Sequence, residues 1–305
     1  MFDIIVIGNA GIDTNIYYHG NEIDFNVESN FTENLDYVGN AGGYSARGFA
    51  QLGYRTAFIG YVGNDFLGNH ILDEFTRDGI NTDAVLIDPA GTCHSINFMY
   101  PDGRRRNFYD GKGHMVLQPD IEVCRSVLKK SKLVHFNIPN WARNLLPLAK
   151  DLGLTISSDI QDVTSLDDAY RSDFIRYSDV LFFSSVNFPD PRIIMDKILT
   201  EYPEKVLISG MGSKGCALGT KTGIQYFDPV ELDEVVIDSN GAGDGLATGF
   251  LSSYYLEKMS LSDSIQRGQI VARYTCTRKA NTSNLITKQQ LDQLYKHLGD
   301  LNGLD

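Results

Sequence analysis

Continuous apolar runs alternate along the chain with segments whose apolar residues recur at helical spacing. Ile4-Ile5-Val6-Ile7, Thr56 to Gly60, Ala84 to Ile87, Leu133 to Phe136, Leu154 to Ser157, Val180 to Phe183 and Lys205 to Ile208 read as strands. An unbroken run such as Ile4–Ile7 marks a strand covered on both faces. Between the first strands, Ala46, Phe49 and Ala50 form a helical stripe that stops at Leu52-Gly53, and Leu72 to Asp78 stops at Gly79. Glycine just past the last turn is the usual helix stop. This βα alternation predicts an α/β fold, a three-layer α/β/α sandwich around a mostly parallel sheet.

Two stretches break the rhythm. From Ile12 to about Asn40 the chain is polar and alternates like a strand, with Ile12-Asp13-Thr14-Asn15-Ile16-Tyr17-Tyr18 as its clearest part. From about residue 92 to 111, Ser95–Tyr100 and Arg105–Tyr109 flank Pro101-Asp102-Gly103-Arg104, the form of a β-hairpin. Together they predict a small β-sheet lid on a single domain spanning 1–305, able to close over a substrate and exclude water.

Composition narrows the partners. The 305 residues, 42% hydrophobic and 22% charged, are ordinary for a globular protein able to bury a large core. A net charge of −12 argues against a nucleic-acid or acidic-membrane surface. An anionic substrate must therefore be held locally, by a helix terminus, a few cations or a metal. Cys93, Cys124, Cys216 and Cys276 fit neither a zinc spacing nor a disulfide framework, which points to reduced thiols and a cytoplasmic location. There is no signal-peptide pattern and no apolar stretch long enough for a bilayer.

Candidate chemistry concentrates in Asp238-Ser239-Asn240-Gly241-Ala242-Gly243-Asp244-Gly245. Val235-Val236-Ile237 before it has the composition of a buried strand, and Leu246, Phe250 and Tyr254 after it have helical spacing. Free N–H groups at a helix start favour an anion, and glycines let it approach. A carboxylate there repels phosphate, so Asp244 suits a proton acceptor for whatever attacks phosphorus. Taken alone, the turn reads more readily as a strand-to-helix corner capped by its aspartate, since glycine-rich turns are common. Gly8-Asn9-Ala10-Gly11 looks like part of a dinucleotide fingerprint, but a strand pattern follows it where a helix is needed. Phosphate loops of the Gly-x₄-Gly-Lys-Ser/Thr kind are absent, and Met211 breaks a hydrolase elbow at Ser209–Gly215.

Asp238 to Asp244, the pair Gly42-Gly43, Asp13 after the first strand and Gly60 to Gly68 together resemble the ribokinase, or PfkB, carbohydrate kinase family over nearly the whole chain. The resemblance implies transfer of the ATP γ-phosphate to a hydroxymethyl group of a sugar. Asp244 would be the base, and Gly241, Ala242 and Gly243 the anion hole. Asp13, Asn9, Gly42 and Gly43 would face the sugar. Ser184, Asn187, Gly212 and Gly215 would face ATP, and a monovalent cation such as K⁺ would sit near Asp238 and Asn240. The family's Asn-x-x-Glu segment, near Mg²⁺, appears here as Ser184–Asn187 or Asn187–Asp190, without the glutamate. Arg47 replaces a common asparagine and would either read an acidic group on the substrate or be a solvated helix residue.

One of Arg104, Arg105 and Arg106 would fold over the phosphates, or all three would be a solvated face. His94 and His114 lack companions at metal-ligand spacing. Tyr17, Tyr18, Tyr37 and Tyr44 read as lid core or as a wall for a nucleobase, which keeps a nucleoside kinase as the alternative. A non-catalytic sugar- or nucleotide-binding sensor is the alternative of another class, although binding alone does not need a base. Exposed lid edges would pair a second copy into a homodimer.

Overall fold

The computed structural model describes residues 1–302 apart from 21, 102–104 and 280. The chain runs β1 (Ile4–Ile7), β2 (Gly11–Tyr18), β3 (Thr32–Gly39), α1 (Asn40–Gln51), β4 (Thr56–Gly63), α2 (Phe66–Arg77), β5 (Asn81–Asp88), β6 (Cys93–Met99) and β7 (Arg105–Asp110). It continues through α3 (Ile121–Leu128), β8 (Leu133–Phe136), α4 (Leu146–Asp151), β9 (Thr155–Asp162), α5 (Ser172–Tyr177), β10 (Val180–Ser184) and α6 (Arg192–Glu201). It closes with β11 (Val206–Gly210), β12 (Cys216–Thr220), β13 (Gly223–Phe227), α7 (Ala242–Leu251), α8 (Leu261–Thr275) and α9 (Lys288–Asn302).

The large sheet has the order β13-β12-β11-β10-β9-β8-β1-β4-β5. It is parallel from β11 to β5, with β12 and β13 antiparallel at one edge. The period-2 alternation of β1 explains the layers. Ile5 and Ile7 pack with Phe136, Trp141 and Leu145 on one face, and Ile4 and Val6 with Phe49, Phe58 and Phe250 on the other. Each fully buried isoleucine stabilises by about 1.5–3 kcal/mol. Parallel strands present their C-terminal ends along one edge, where open α/β sheets take ligands.

A second sheet has the order β3-β2-β6-β7, with β2 and β6 parallel and the outer pairs antiparallel. Alternation along β2 buries Asp13, Asn15 and Tyr17 and leaves Thr14, Ile16 and Tyr18 partly exposed. Its inward row is therefore polar, which a purely structural sheet would not choose. Of the hairpin connection, Pro101 is described, while Asp102, Gly103 and Arg104 lie outside the described residues.

Two expectations change. Val235, Val236 and Ile237 form no strand and are 72%, 58% and 42% exposed. Ile237 and Asp238 donate to the Cys276 carbonyl at the end of α8 and not to a strand. Helix α1 starts at Asn40, well before the Ala46 that begins its apolar stripe, so Gly42 and Gly43 lie inside it. A β-carbon on Gly42 would come within 2.6 Å of the Asn9 carbonyl oxygen, so its bareness lets α1 rest on the end of β1.

Candidate active site

Helix α7 begins where the glycines place it. Gly241 precedes its first turn with φ +72°, and a β-carbon there would lie 2.5 Å from the Tyr44 ring. Only glycine satisfies both demands. The first-turn N–H groups lack intrahelical acceptors; that of Ala242 donates to the Ser239 carbonyl at 3.3 Å, and Gly243 is exposed. Asp244 sits on this turn, half-buried, and accepts from Ser45 Oγ of α1 at 3.2 Å. Its carboxyl is held well above the ordinary carboxylate range, first by burial and then by the charges of Asp159 and Asp13. Asp159 is 8% exposed near the end of β9, and burial lifts its carboxyl to about 6. Asp159 Oδ2 lies 3.9 Å from the place a Gly243 β-carbon would take. Asp159 is a site residue that the sequence reading missed.

Asp13 is buried on β2, and burial raises its carboxyl. Asn40 Nδ2 donates to it at 2.8 Å and the Tyr44 hydroxyl at 3.3 Å. Tyr44 thus touches both Asp13 and Gly241, joining the lid strand to the glycine turn. Asn40 adopts φ +60° and its Oδ1 is buried without a hydrogen-bond partner. Asn137, next after β8 and against Gly8, has both amide atoms buried and unpartnered. Buried amides left unpaired cost about 1–3 kcal/mol each, so they mark places prepared for a polar ligand. Neither Asn40 nor Asn137 was picked out from sequence. Asn9 is already engaged, donating to the Tyr109 hydroxyl at 2.6 Å and accepting from Trp141 Nε1 at 3.1 Å. Gly43 packs on Val38 and Ala10.

Arg47 departs from both of its expected roles. It is 7% exposed, and its guanidinium pairs with Asp78 at 2.6 Å and Glu74 at 3.0 Å. Those carboxylates, at and just before the C-terminal end of α2, occupy it, so it is neither solvated nor free for a substrate anion. Tyr37 and Tyr44 meet edge-on with their hydroxyls 2.7 Å apart, and Tyr18 stacks on Phe98. Tyr17 and Tyr37 are buried in the lid, Tyr18 is partly exposed on it, and Tyr44 meets the lid from α1.

Ser184 ends β10, and its Oγ accepts from the Val186 N–H at 3.3 Å. Asn187 Nδ2 donates to the Val163 carbonyl at 3.2 Å and approaches Asp162 Oδ2 at 3.5 Å. Asp190, the carboxylate of the alternative alignment, is committed to Tyr226 and the Arg192 N–H. Gly212 and Gly215 flank a short turn after β11, both with positive φ. Gly212 opens to space, whereas Gly215 is pressed on the Phe227 carbonyl.

Residues 1–151 and 193–288 match the pfkB family carbohydrate kinase pattern. The chain belongs to the PfkB family of carbohydrate kinases. It is 27% identical over 297 residues to acarbose 7(IV)-phosphotransferase of an Actinoplanes species, covering 95% of this chain and 97% of that one. It is 25% identical over 321 residues to 5-dehydro-2-deoxygluconokinase of Lacticaseibacillus casei, covering 96% and 94%. Its fold resembles a microbiome-derived acarbose kinase (TM-score 0.88, 24% identity, 97% and 99% covered). It also resembles an Arabidopsis thaliana ribokinase complexed with ribose and ATP (TM-score 0.79, 19% identity, 97% and 99% covered).

The PfkB kinase is thus a phosphotransferase with an alcohol acceptor, of a family that uses ATP. Its stretch between the two matched segments, residues 152–192, carries Asp159, Ser184 and Asn187. Among the described residues no helix is long and apolar enough to cross a membrane. None of them forms a group of three or more His, Cys, Asp or Glu able to hold a metal. Mg²⁺ needs no such group, because it is commonly bound by one or two carboxylates together with nucleotide phosphates. Asp159, with Asp162 raising it further, is a hard-oxygen donor that fits this role.

Proposed function

We propose that this kinase transfers the γ-phosphoryl group of ATP to a hydroxymethyl group of a neutral sugar, in the cleft between the lid and the C-terminal strand ends. The observation that carries the reading is Asp244: a carboxyl with raised proton affinity, fixed by Ser45 on the first turn of a glycine-led helix. The acceptor oxygen attacks the γ-phosphorus and gives its proton to Asp244. The bond between that phosphorus and the β–γ bridging oxygen breaks, and ADP leaves. Gly241, Ala242 and Gly243 place N–H dipoles where charge grows on the transferring group.

Asp13, with Asn40 and Asn137, binds the sugar hydroxyls; charge-assisted bonds to a carboxylate suit a polyol. The unpartnered atoms of Asn40 and Asn137 support this assignment. Ser184, Asn187 and the turn at Gly212 and Gly215 line the nucleotide side. Asp159 holds Mg²⁺, which supplies charge neutralisation of the phosphates. A neutral sugar follows from Arg47, whose guanidinium is spent on Glu74 and Asp78. The exposed outer strand β7, with Phe108 53% and Tyr109 46% exposed, supports a homodimer through the lid. Four cysteines without disulfides agree with a cytoplasmic location, where ATP is supplied.

ATP consumption against a panel of neutral sugars, sugar acids and nucleosides tests this. Turnover with one or more neutral sugars is expected. Turnover confined to nucleosides or to acids would refute the substrate class.

A further inference from the structure

The family resemblance places a monovalent cation beside Asp238 and Asn240, and the residues present do not fit one. Asp238 is 1% exposed and both of its carboxylate oxygens already accept hydrogen bonds. Oδ2 takes Asn15 Nδ2 at 2.7 Å and the Tyr17 hydroxyl at 2.6 Å; Oδ1 takes the Asn240 N–H at 2.8 Å. These three donors turn their hydrogens toward the carboxylate and fill most of its acceptor sites, which leaves a cation at most one lone pair, on Oδ1. Lys279, paired with Glu33, adds a fixed positive charge 4.6 Å from the centre of the Tyr17 ring.

The donors come from the lid. Asn15 and Tyr17 lie on the inward row of β2. Asn97 Nδ2 donates to Asn15 Oδ1 at 2.9 Å, and Asn107 Nδ2 to Asn97 Oδ1 at 2.8 Å. These three asparagines are register partners, so one row of amides crosses β7, β6 and β2 and ends on Asp238. Amides aligned in this way polarise one another. Asn240 is held from the same side, by Arg105 of β7 and by Met99 Sδ of β6 at 3.4 Å. Three lid strands thus grip the two side chains that lead into Gly241.

We infer that the lid takes the place of a monovalent cation: Asn15 and Tyr17, by holding Asp238, position the Gly241–Gly243 turn for phosphoryl transfer. The inference rests on reading that turn as the anion hole. Both are positioning residues, acting through Asp238 and not on the substrate. Lid placement and anion-hole geometry then become one event, and the enzyme works without K⁺.

The test compares wild type, Tyr17→Phe and the double variant Asn15→Ala/Tyr17→Phe in potassium chloride and in choline chloride at equal ionic strength. Expected are a wild-type kcat and Tm unaffected by the choice of salt. The double variant should lose kcat by roughly 10–100-fold, less than removal of an oxyanion donor itself, with sugar KM nearly unmoved. Tyr17→Phe keeps the ring and, should the double variant fail to fold, reads the same kcat loss at a smaller size. A wild-type rate or Tm raised by K⁺ over choline overturns the inference. So does a variant with full kcat and a raised sugar KM, the sign of a merely structural lid contact. Gly241→Ala in parallel separates the two readings: if it loses kcat while the lid variants keep full kcat, only this inference falls; if it too keeps full kcat, the anion-hole reading falls with it.

Discussion

On the lid side of the cleft, Asp13 and Asp238 are buried carboxylates whose oxygens are met by Asn40, Tyr44, Asn15 and Tyr17. On the strand side, Asp159 and Asp244 crowd each other, with the Gln161 N–H and the Ser45 hydroxyl as their hydrogen-bond donors. The same residue type meets several donors in one place and few in the other. Burial raises the proton affinity of all four. On Asp244 the charge of Asp159 adds to burial, and raised proton affinity with few internal donors is what a base requires.

Changes that blur this contrast should act in order of their distance from the reacting atoms. Gly241→Ala forces a β-carbon into the Tyr44 ring at a positive φ and disturbs both sides at once. A kcat loss of about 10²-fold or more is expected, the size of a misplaced oxyanion donor. A variant with full kcat would show that the turn tolerates movement. Asn137→Ala removes an amide that has no internal partner. The sugar KM should rise by roughly tenfold, the worth of about one hydrogen bond, with kcat less affected and Tm unchanged or higher. A lowered Tm with normal KM would assign Asn137 to the scaffold.

Asp159→Asn sharpens the contrast by removing one of the two crowded charges. Both carboxyls are raised in the folded state. The pair's stability contribution is therefore complete below the unfolded pKa of about 4. It is lost as pH rises through the folded values, about 6 for Asp159. The variant should gain Tm at pH 7 relative to pH 4, and the acidic limb of its pH–rate profile should move to lower pH as Asp244 loses a charged neighbour. A limb that stays in place would separate the two groups. Arg47→Ala should leave the site alone. It strands Asp78, while Glu74 keeps Arg77, and should cost roughly 1–3 kcal/mol of stability, with kcat/KM changed equally for neutral and acidic sugars. A loss confined to acidic sugars would restore Arg47 to the substrate.

The layered fold and the Asp238–Gly245 turn were legible because their signals are local: unbroken apolar runs, a glycine-led helix start, an alternating polar strand. Arg47 was misjudged because its partners are 27 and 31 residues away on the next helical segment. Val235–Ile237 misled because β-branched composition reports strand propensity but not which partner the backbone meets, here the Cys276 carbonyl at the end of α8. Asp159 carries no motif of its own. Its position late in an apolar strand was the available sign, since parallel strands deliver their C-terminal residues to the ligand edge. Asn137 and Asn40 emerge only from counting unpaired atoms, which needs coordinates.

The claim on which the account rests is that Asp244 takes the proton of the acceptor hydroxyl. The direct test is the rate of phosphoryl transfer from saturating Mg-ATP to the best sugar by Asp244→Asn against wild type, with Tm confirming that the variant is folded. A loss of roughly 10²–10⁴-fold in kcat with sugar binding retained is predicted; a folded variant turning over at the wild-type rate would contradict it.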